Sequence, residues 1–393
     1  MKSIKSSSLY ISLKKRKSNV QLFNPYITSI DKKIVNESLS SRTLTTGPVT
    51  QKFENDFKKF TGSKYATATS NATSALHLSL LAMGIGKSDE VIIPNITFVA
   101  TGNSVFMTGA TPVLADVNLD DINISTESIE KNITKKTKAI IPVHFSGKSC
   151  NMKKIMSIAK ENNLIVIEDC AHSIGCNFNG KHVGTFGSTG CFSFYPTKNI
   201  TTIEGGMIIS NSNTIAKKTK LLRSHGISKT LQERYKTGFP WEYDIKEFGF
   251  NYRLDDVRSS LGISQLKNIL QFNNSRRKAF AYYYEKLYSV DGIELPEIKN
   301  LQDNACHLFV IKINKEKFGI SRNQVFKRLL KNGISTTVHY KPLSLFSVFR
   351  DKAKNHSTLE NSIKLYDQIL SLPLYTKISK KAQDKVIQTL KNL

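Results

Sequence analysis

The feature that most limits what this chain can fold into is its rhythm. From about residue 60, short apolar runs alternate with longer amphipathic segments. The runs are YATAT (65–69), EVIIP (90–94), KAIIPVHF (138–145), LIVIEDC (164–170), CFSFY (191–195) and GMIIS (206–210). Helical patterns such as TSALHLSLLAMG (73–84) and MKKIMSIAKENN (152–163) lie between them. Strands apolar on both faces, separated by helices, call for a mainly parallel sheet. The expected fold is α/β, a large domain whose mainly parallel sheet is sandwiched by helices. Ligands of such folds bind beyond the carboxyl ends of the strands.

After residue 255 the rhythm changes. A long helical stretch, 255–289, precedes HLFVIKI (307–313), a helix near 321–332, STTVHY (335–340) and two further helical segments. This reads as a smaller C-terminal α+β domain. The expected organisation is a basic, disordered tail at 1–20, a large domain at 21–262 and a small domain at 263–393. Residues 1–30 contain no Asp or Glu, but they hold Lys2, Lys5, Lys14, Lys15, Arg16 and Lys17. A transit peptide shares that composition; a tail on a basic protein is the reading carried forward.

Charge narrows the function classes. The chain has 57 Lys+Arg against 31 Asp+Glu, a net +26. Such a balance fits nucleic acid or an anionic substrate. The basic residues are mostly lysines spread along the chain, so no nucleic-acid partner is expected. No apolar run reaches 18 residues, so no membrane insertion is expected either. Five cysteines without C-x-x-C spacing point to a reducing compartment, here the cytoplasm.

Three stretches carry chemistry. LIVIEDCAH ends an apolar run on Glu168 and Asp169. A carboxylate there either caps the next turn or faces a cationic ligand group, because bare burial is costly. His172 follows three residues later, as a structural residue or beside the same ligand. In TSNATSALHL (69–78), a strand runs into a helix through small polar residues. Ala72, Thr73 and Ser74 would either form an ordinary helix start or offer N–H groups to a phosphate. In CFSFYPTK (191–198), Cys191, Ser193 and Tyr195 share one strand face, and Pro196 turns the chain before Lys198. A solvated loop lysine is the simple reading. A partly desolvated lysine, by contrast, becomes a usable nucleophile.

Together the three offer an anion cradle, a carboxylate and a reactive amine. Pyridoxal phosphate needs that set. Phe98, in PNITFVAT (94–101), would stack on its ring or belong to the core. Other motifs fail. GIGKS (84–88) and SGKS (146–149) lack the first glycine of a phosphate loop, having Leu81 and Pro142 there. Cys170, His172 and Cys176 match no zinc spacing, so no metal is expected.

The chain resembles the DegT/StrS family of nucleotide-sugar aminotransferases, which use pyridoxal phosphate in the aspartate aminotransferase fold. The similarity runs from about residue 22 to the end. It is carried by TLTTGPVTQKFE (43–54), TSNATSALHLSLLAMGIGKSDEVIIPNITFVAT (69–101), IEDCAHSIG (167–175), GCFSFYPTKNITTIEGGMI (190–208), GFNYRLDD (249–256) and STTVHYKPL (335–343). The resemblance implies that Lys198 bonds the cofactor and shuttles the proton, and that Asp169 pairs with the ring nitrogen. It implies that His172 lies near the ring hydroxyl and that Phe98 stacks on the ring. Ala72, Thr73 and Ser193 would hold the phosphate, and Asn251 would reach the phosphate of a neighbouring subunit. Tyr195, Glu204, Arg253, His339 and Tyr340 are candidates for substrate contacts. Shared sites imply a homodimer.

Some relatives carry histidine where this chain has Lys198 and act as 3-dehydratases, so the lysine favours transamination. The implied reaction takes an amino group from L-glutamate and gives it to a nucleotide-linked 4-keto sugar. SHGISK and PWEYDIKEFGFNYRL, within 224–254, look most like enzymes acting on UDP-linked 4-keto-6-deoxy-N-acetylhexosamines. GDP-perosamine and UDP-4-amino-4-deoxy-arabinose types are the alternatives, and an inactive regulator or scaffold is the alternative from another class. The basic N-terminal extension departs from the family pattern.

Overall fold

A computed structural model describes residues 20–393 apart from 230, 237 and 298. The expected tail at 1–20 therefore lies, except for Val20, outside the described residues. In chain order the strands of the first part are β1 (Tyr65–Thr69), β2 (Glu90–Pro94), β3 (Thr111–Ala115), β4 (Thr137–Ile140) and β5 (Ile165–Asp169). They are followed by the short hairpin β6 (Asn177–Phe178) and β7 (Lys181–His182), then β8 (Thr189–Ser193) and β9 (Gly206–Ser210). Seven of them make one sheet in the order β1-β9-β8-β5-β4-β2-β3. From β3 to β8 all neighbours are parallel, whereas β9 runs antiparallel to both β8 and β1.

Strand alternation sorts the side chains between two covered faces. Phe192 and Phe194 of β8 pack on Phe53 and Phe57, with Phe57 and Phe192 centroids 5.0 Å apart. Cys191 turns to the other face, against the helix Ala72–Ala82. The first face is covered by the helices Pro48–Thr61, Asp256–Lys267 and Met152–Glu161. The second is covered by Ala72–Ala82, Val99–Met107 and Asn213–Arg223. Burying each Leu, Ile or Phe in these layers contributes roughly 1.5–3 kcal/mol.

The smaller C-terminal domain has its own antiparallel sheet, β10 (Ile293–Glu294), β11 (Phe309–Ile313) and β12 (Ile369–Leu372). Helices Ile269–Leu287, Arg322–Lys331 and Lys380–Lys391 cover it, burying Phe280, Tyr283, Val325, Leu329 and Val386. Val20 joins this core; it bridges to Ile334 and its N–H donates to Gly333 O at 2.9 Å.

Three local expectations are corrected, and one strand is added. The stretch 255–289 is two helices, Asp256–Lys267 and Ile269–Leu287. Asn268 interrupts them at φ −102°, ψ 0°, and its side chain bonds Ser264 O, competing with the helical backbone. KAIIPVHF is strand only to Ile140, because the proline at 142 has no N–H for a ladder. STTVHY makes a single bridge, Thr337 to Ser371, before turning inward. The added strand is β3, whose Pro112 weakens its strand pattern but is tolerated at the sheet edge.

Candidate active site

The carboxyl ends of β1, β2, β4, β5 and β8 open on one cavity of about 560 Å³. It is lined by Ala72, Thr73, Phe98, Asp169, His172, Ser193, Tyr195, Lys198, Glu204, His339 and Tyr340. Eleven of the thirteen residues to which the resemblance gives a role thus meet at one place, whereas Ser74, the third candidate of the cradle, spends its N–H on Asn71 Oδ1. Asn251 and Arg253 do not; Asn251 is exposed and bridges to Ser224.

Asp169 arrives by strand parity. Along β5, Ile167 and Asp169 face the cavity side of the sheet, while Val166 and Glu168 face the other. Its oxygens accept from Ala171 N–H at 3.1 Å and from the Thr101 hydroxyl at 2.9 Å. Thr97 lies 2.8 Å from that hydroxyl, so Thr101 can spend its own proton on the carboxylate. Burial pushes the Asp169 carboxyl up, against the pull of those donors and of Lys198.

Lys198 is placed by a turn. Its N–H closes onto Tyr195 O at 2.9 Å, with Pro196 presetting the bend. The loop is tied back to β8, because Thr202 N–H and the Thr201 hydroxyl both donate to Phe194 O. Burial pushes the amine down to about 8, while the Asp169 charge pulls the other way. A lysine at that position exchanges protons near neutral pH, unlike a solvated surface lysine.

The anion cradle is the start of the helix Ala72–Ala82. The Asn71 side chain caps it by accepting Ser74 N–H at 2.8 Å, which leaves the earlier amides of Ala72 and Thr73 beside the cavity. Gly206 is required here, since a Cβ would meet the Asn71 carbonyl at 2.5 Å. Ser193, at the end of β8, sits across from this helix start on the cavity wall.

Histidines and a tyrosine form the remaining polar wall. His172 Nε2 lies 3.0 Å from Tyr340 Oη, and its Nδ1 accepts the Ser146 N–H at 3.4 Å. His339 Nδ1 pairs with Ser371 Oγ at 2.8 Å. Burial drives His172 well below the usual imidazole range and His339 to about 4, reinforced by the Lys198 charge. Phe98 is 56% exposed at the mouth, its centroid 5.9 Å from that of Tyr340.

Sequence reasoning missed several wall residues. Thr101 sat inside the quoted PNITFVAT, with a hydroxyl four residues after Thr97 as the available signal. His307 stands in sequence as no more than the start of an apolar run, and it lines the cavity. Leu22, Phe23, Leu372 and Leu374 form an apolar wall that no local pattern announced. His144, Glu168 and Cys170 lie close enough to bind a metal ion. However, Glu168 is already held by His144 and by Gly184, Phe186 and Gly187 N–H groups, and His144 Nδ1 by Cys150 N–H.

This fold with this site defines a class, the sugar aminotransferases built on a lysine, a carboxylate and an anion cradle. The chain belongs to the DegT/DnrJ/EryC1/StrS aminotransferase family, whose model matches residues 25–391. It is 35% identical to the spore coat polysaccharide biosynthesis protein SpsC of Bacillus subtilis, over 91% of this chain and 93% of that one. Among solved structures, the putative sugar aminotransferase Spr1654 of Streptococcus pneumoniae in its PLP form is 29% identical with a TM-score of 0.85, covering 95% of this chain and 98% of that one. PseC of Helicobacter pylori, an aminotransferase of pseudoaminic acid biosynthesis, is 30% identical with a TM-score of 0.86, covering 95% and 99%. Spr1654 is known in PLP and PMP forms, and with the family this indicates pyridoxal phosphate as the cofactor. The donor set fits it, with unpaired helix-start amides for a phosphate, an underfilled buried carboxylate for a ring cation, and an amine of lowered basicity.

Proposed function

We propose that this enzyme transfers the amino group of L-glutamate to a UDP-linked 4-keto-6-deoxy-N-acetylhexosamine, giving a 4-amino sugar. The observation that carries the reading is that Lys198 and Asp169 line one cavity opposite the helix start at Ala72. When bound there, pyridoxal phosphate supplies an aldehyde for the amine and a ring that takes up the electron pair released at the substrate carbon.

The chain's own residues do the rest. Ala72, Thr73 and Ser193 hold the phosphate. Asp169 keeps the ring nitrogen protonated, and Thr101 holds Asp169 ionised. Phe98 and His172 confine the ring. Lys198 would bond the cofactor's aldehyde and, as an amine near 8, would be suited to take and return the proton at the substrate carbon. Tyr195, Glu204, His339 and Tyr340 contact the sugar or the amino donor. The apolar wall of Leu22, Phe23, Leu372 and Leu374 supports a 6-methyl group over a 6-hydroxyl.

Asn251 and Arg253 lie off the cavity of their own chain, which supports their serving a partner's site in a homodimer. Phe239, Trp241 and Phe248 stand exposed nearby in sequence, Phe248 by 85%, and a partner would cover them. The setting we assign is the cytoplasm, in keeping with five cysteines that form no bond to one another.

The test is incubation with L-glutamate and a panel of nucleotide-linked 4-keto sugars, with products identified by mass and NMR. Borohydride should fix the cofactor to Lys198, and Lys198→Ala should lose turnover while folding normally. Mixing Lys198→Ala with Asn251→Ala protomers should restore part of the activity if sites are shared. An unaltered rate in Lys198→Ala would end the proposal.

A further inference from the structure

His307 is a titratable cavity-wall residue to which the reaction above gives no task. It lies where the chain enters β11, 5% exposed, with its ring centroid 4.5 Å from that of His172. Its N–H donates to Ser146 O at 3.0 Å, and its carbonyl accepts from Arg276 at 3.3 Å. The small domain is therefore pinned to the large one at the histidine pair.

Hydrogen bonding fixes how both rings carry their protons. Asn199, the residue after Lys198, donates through Nδ2 to Ala305 O and to Asn273 Oδ1, each at 2.7 Å. A carbonyl can only accept, so this amide cannot be turned over. Asn199 Oδ1 then faces His307 Nδ1 at 3.2 Å, and Nδ1 must bear the hydrogen. On His172 the logic runs the other way. Its Nδ1 meets the Ser146 N–H, which can only donate, so its hydrogen sits on Nε2, toward Tyr340 Oη.

We propose that His307, oriented by Asn199, is a positioning residue that keeps the imidazole wall around Lys198 uncharged and closed to water. The lysine amine is then the only titrating cation the wall admits. The inference rests on Lys198 being the reactive amine. The charged and titratable groups facing the pair are Lys198, Asp169, His339, Tyr340 and, from the helix Ile269–Leu287, Arg276. Burial and the Lys198 and Arg276 charges hold His307 well below the usual imidazole range, in agreement with a neutral ring.

Histidine 15N NMR of the apoenzyme at pH 7 tests the assignment without cofactor or turnover. His307→Phe and His172→Phe identify the two signals. The expected result is His307 as the Nδ1–H form and His172 as the Nε2–H form, both neutral. A charged His307, or the opposite tautomer, overturns the proposal. The second readout is the pH midpoint of Lys198 acylation by an amine reagent in the apoenzyme. His307→Ala should raise it from about 8 toward the ordinary 10.5. His307→Gln, which can still donate to Asn199, should leave it near the starting value. An unchanged midpoint in His307→Ala also overturns the proposal. Failure of borohydride to label Lys198 would instead remove the functional reading and leave the tautomer result standing.

Discussion

Two neighbouring carboxylates on β5 meet opposite fates. Glu168 points away from the cavity and is saturated by four donors, one imidazole and three backbone N–H groups. Asp169 points into the cavity with two donors, and burial raises its carboxyl. Both are buried, at 0% and 5% exposure, so burial does not distinguish them. The count of partners does. A filled carboxylate holds the 184–187 loop in place. An underfilled one keeps capacity for a ligand's cation, at a cost to the apoenzyme.

The sharpest way to break this contrast is to exchange the two losses. Asp169→Asn should reduce kcat/KM by about 10²–10³ or more, while its melting temperature stays near that of the wild type. Glu168→Ala should do the reverse. It leaves His144 and three amides unpaired, which costs about 3–5 kcal/mol of stability in urea unfolding, while the folded fraction still turns over. If Asp169→Asn unfolded the protein and Glu168→Ala did not, the contrast would be wrong.

Thr101→Val sharpens the comparison at smaller scale. It removes one of the two donors to Asp169 and leaves the fold intact. A hydrogen bond to a charged group is worth about 1.5–3 kcal/mol, so activity should fall about 10- to 100-fold. The acid limb of the pH–rate profile should move to higher pH, because the carboxylate is harder to form.

The last effect is read in stability against pH rather than in activity. Lys198 has a folded value of about 8 against an ordinary 10.5. Between these values the unfolded chain holds a proton that the folded chain has released, so stability from this group rises with pH. Below about 8 both states are protonated, and the burial cost is borne in full. The difference in unfolding free energy between wild-type apoenzyme and Lys198→Met should change across pH 8–10.5 and level off on either side. A flat difference would mean that the amine is solvated after all.

Much of this was legible beforehand because strand parity is a local rule. The alternation in CFSFY separates Phe192 and Phe194 from Cys191 and Ser193, and the structure keeps that division. The same parity in IVIED places Asp169 on the ligand side. What stayed hidden depends on contacts distant in sequence. Glu168 finds its three backbone donors 16 to 19 residues onward, across the β6–β7 hairpin, and its imidazole 24 residues back. His307 reaches Asn199 across 108 positions. The break at Asn268 escaped because one polar residue barely disturbs a helical pattern. The inward turn at His339 escaped because STTVHY carries β-favouring residues that the tertiary structure overrides.

Val20 and Leu22 lie against the small domain, through Gly333, Ile334 and Leu374, while Leu22 and Phe23 border the cavity. A cut that removes Val20 to Phe23 therefore loosens one edge of the small domain and strips one side of the doorway at a stroke, so shortened versions of this enzyme should keep the chain from Val20 onward.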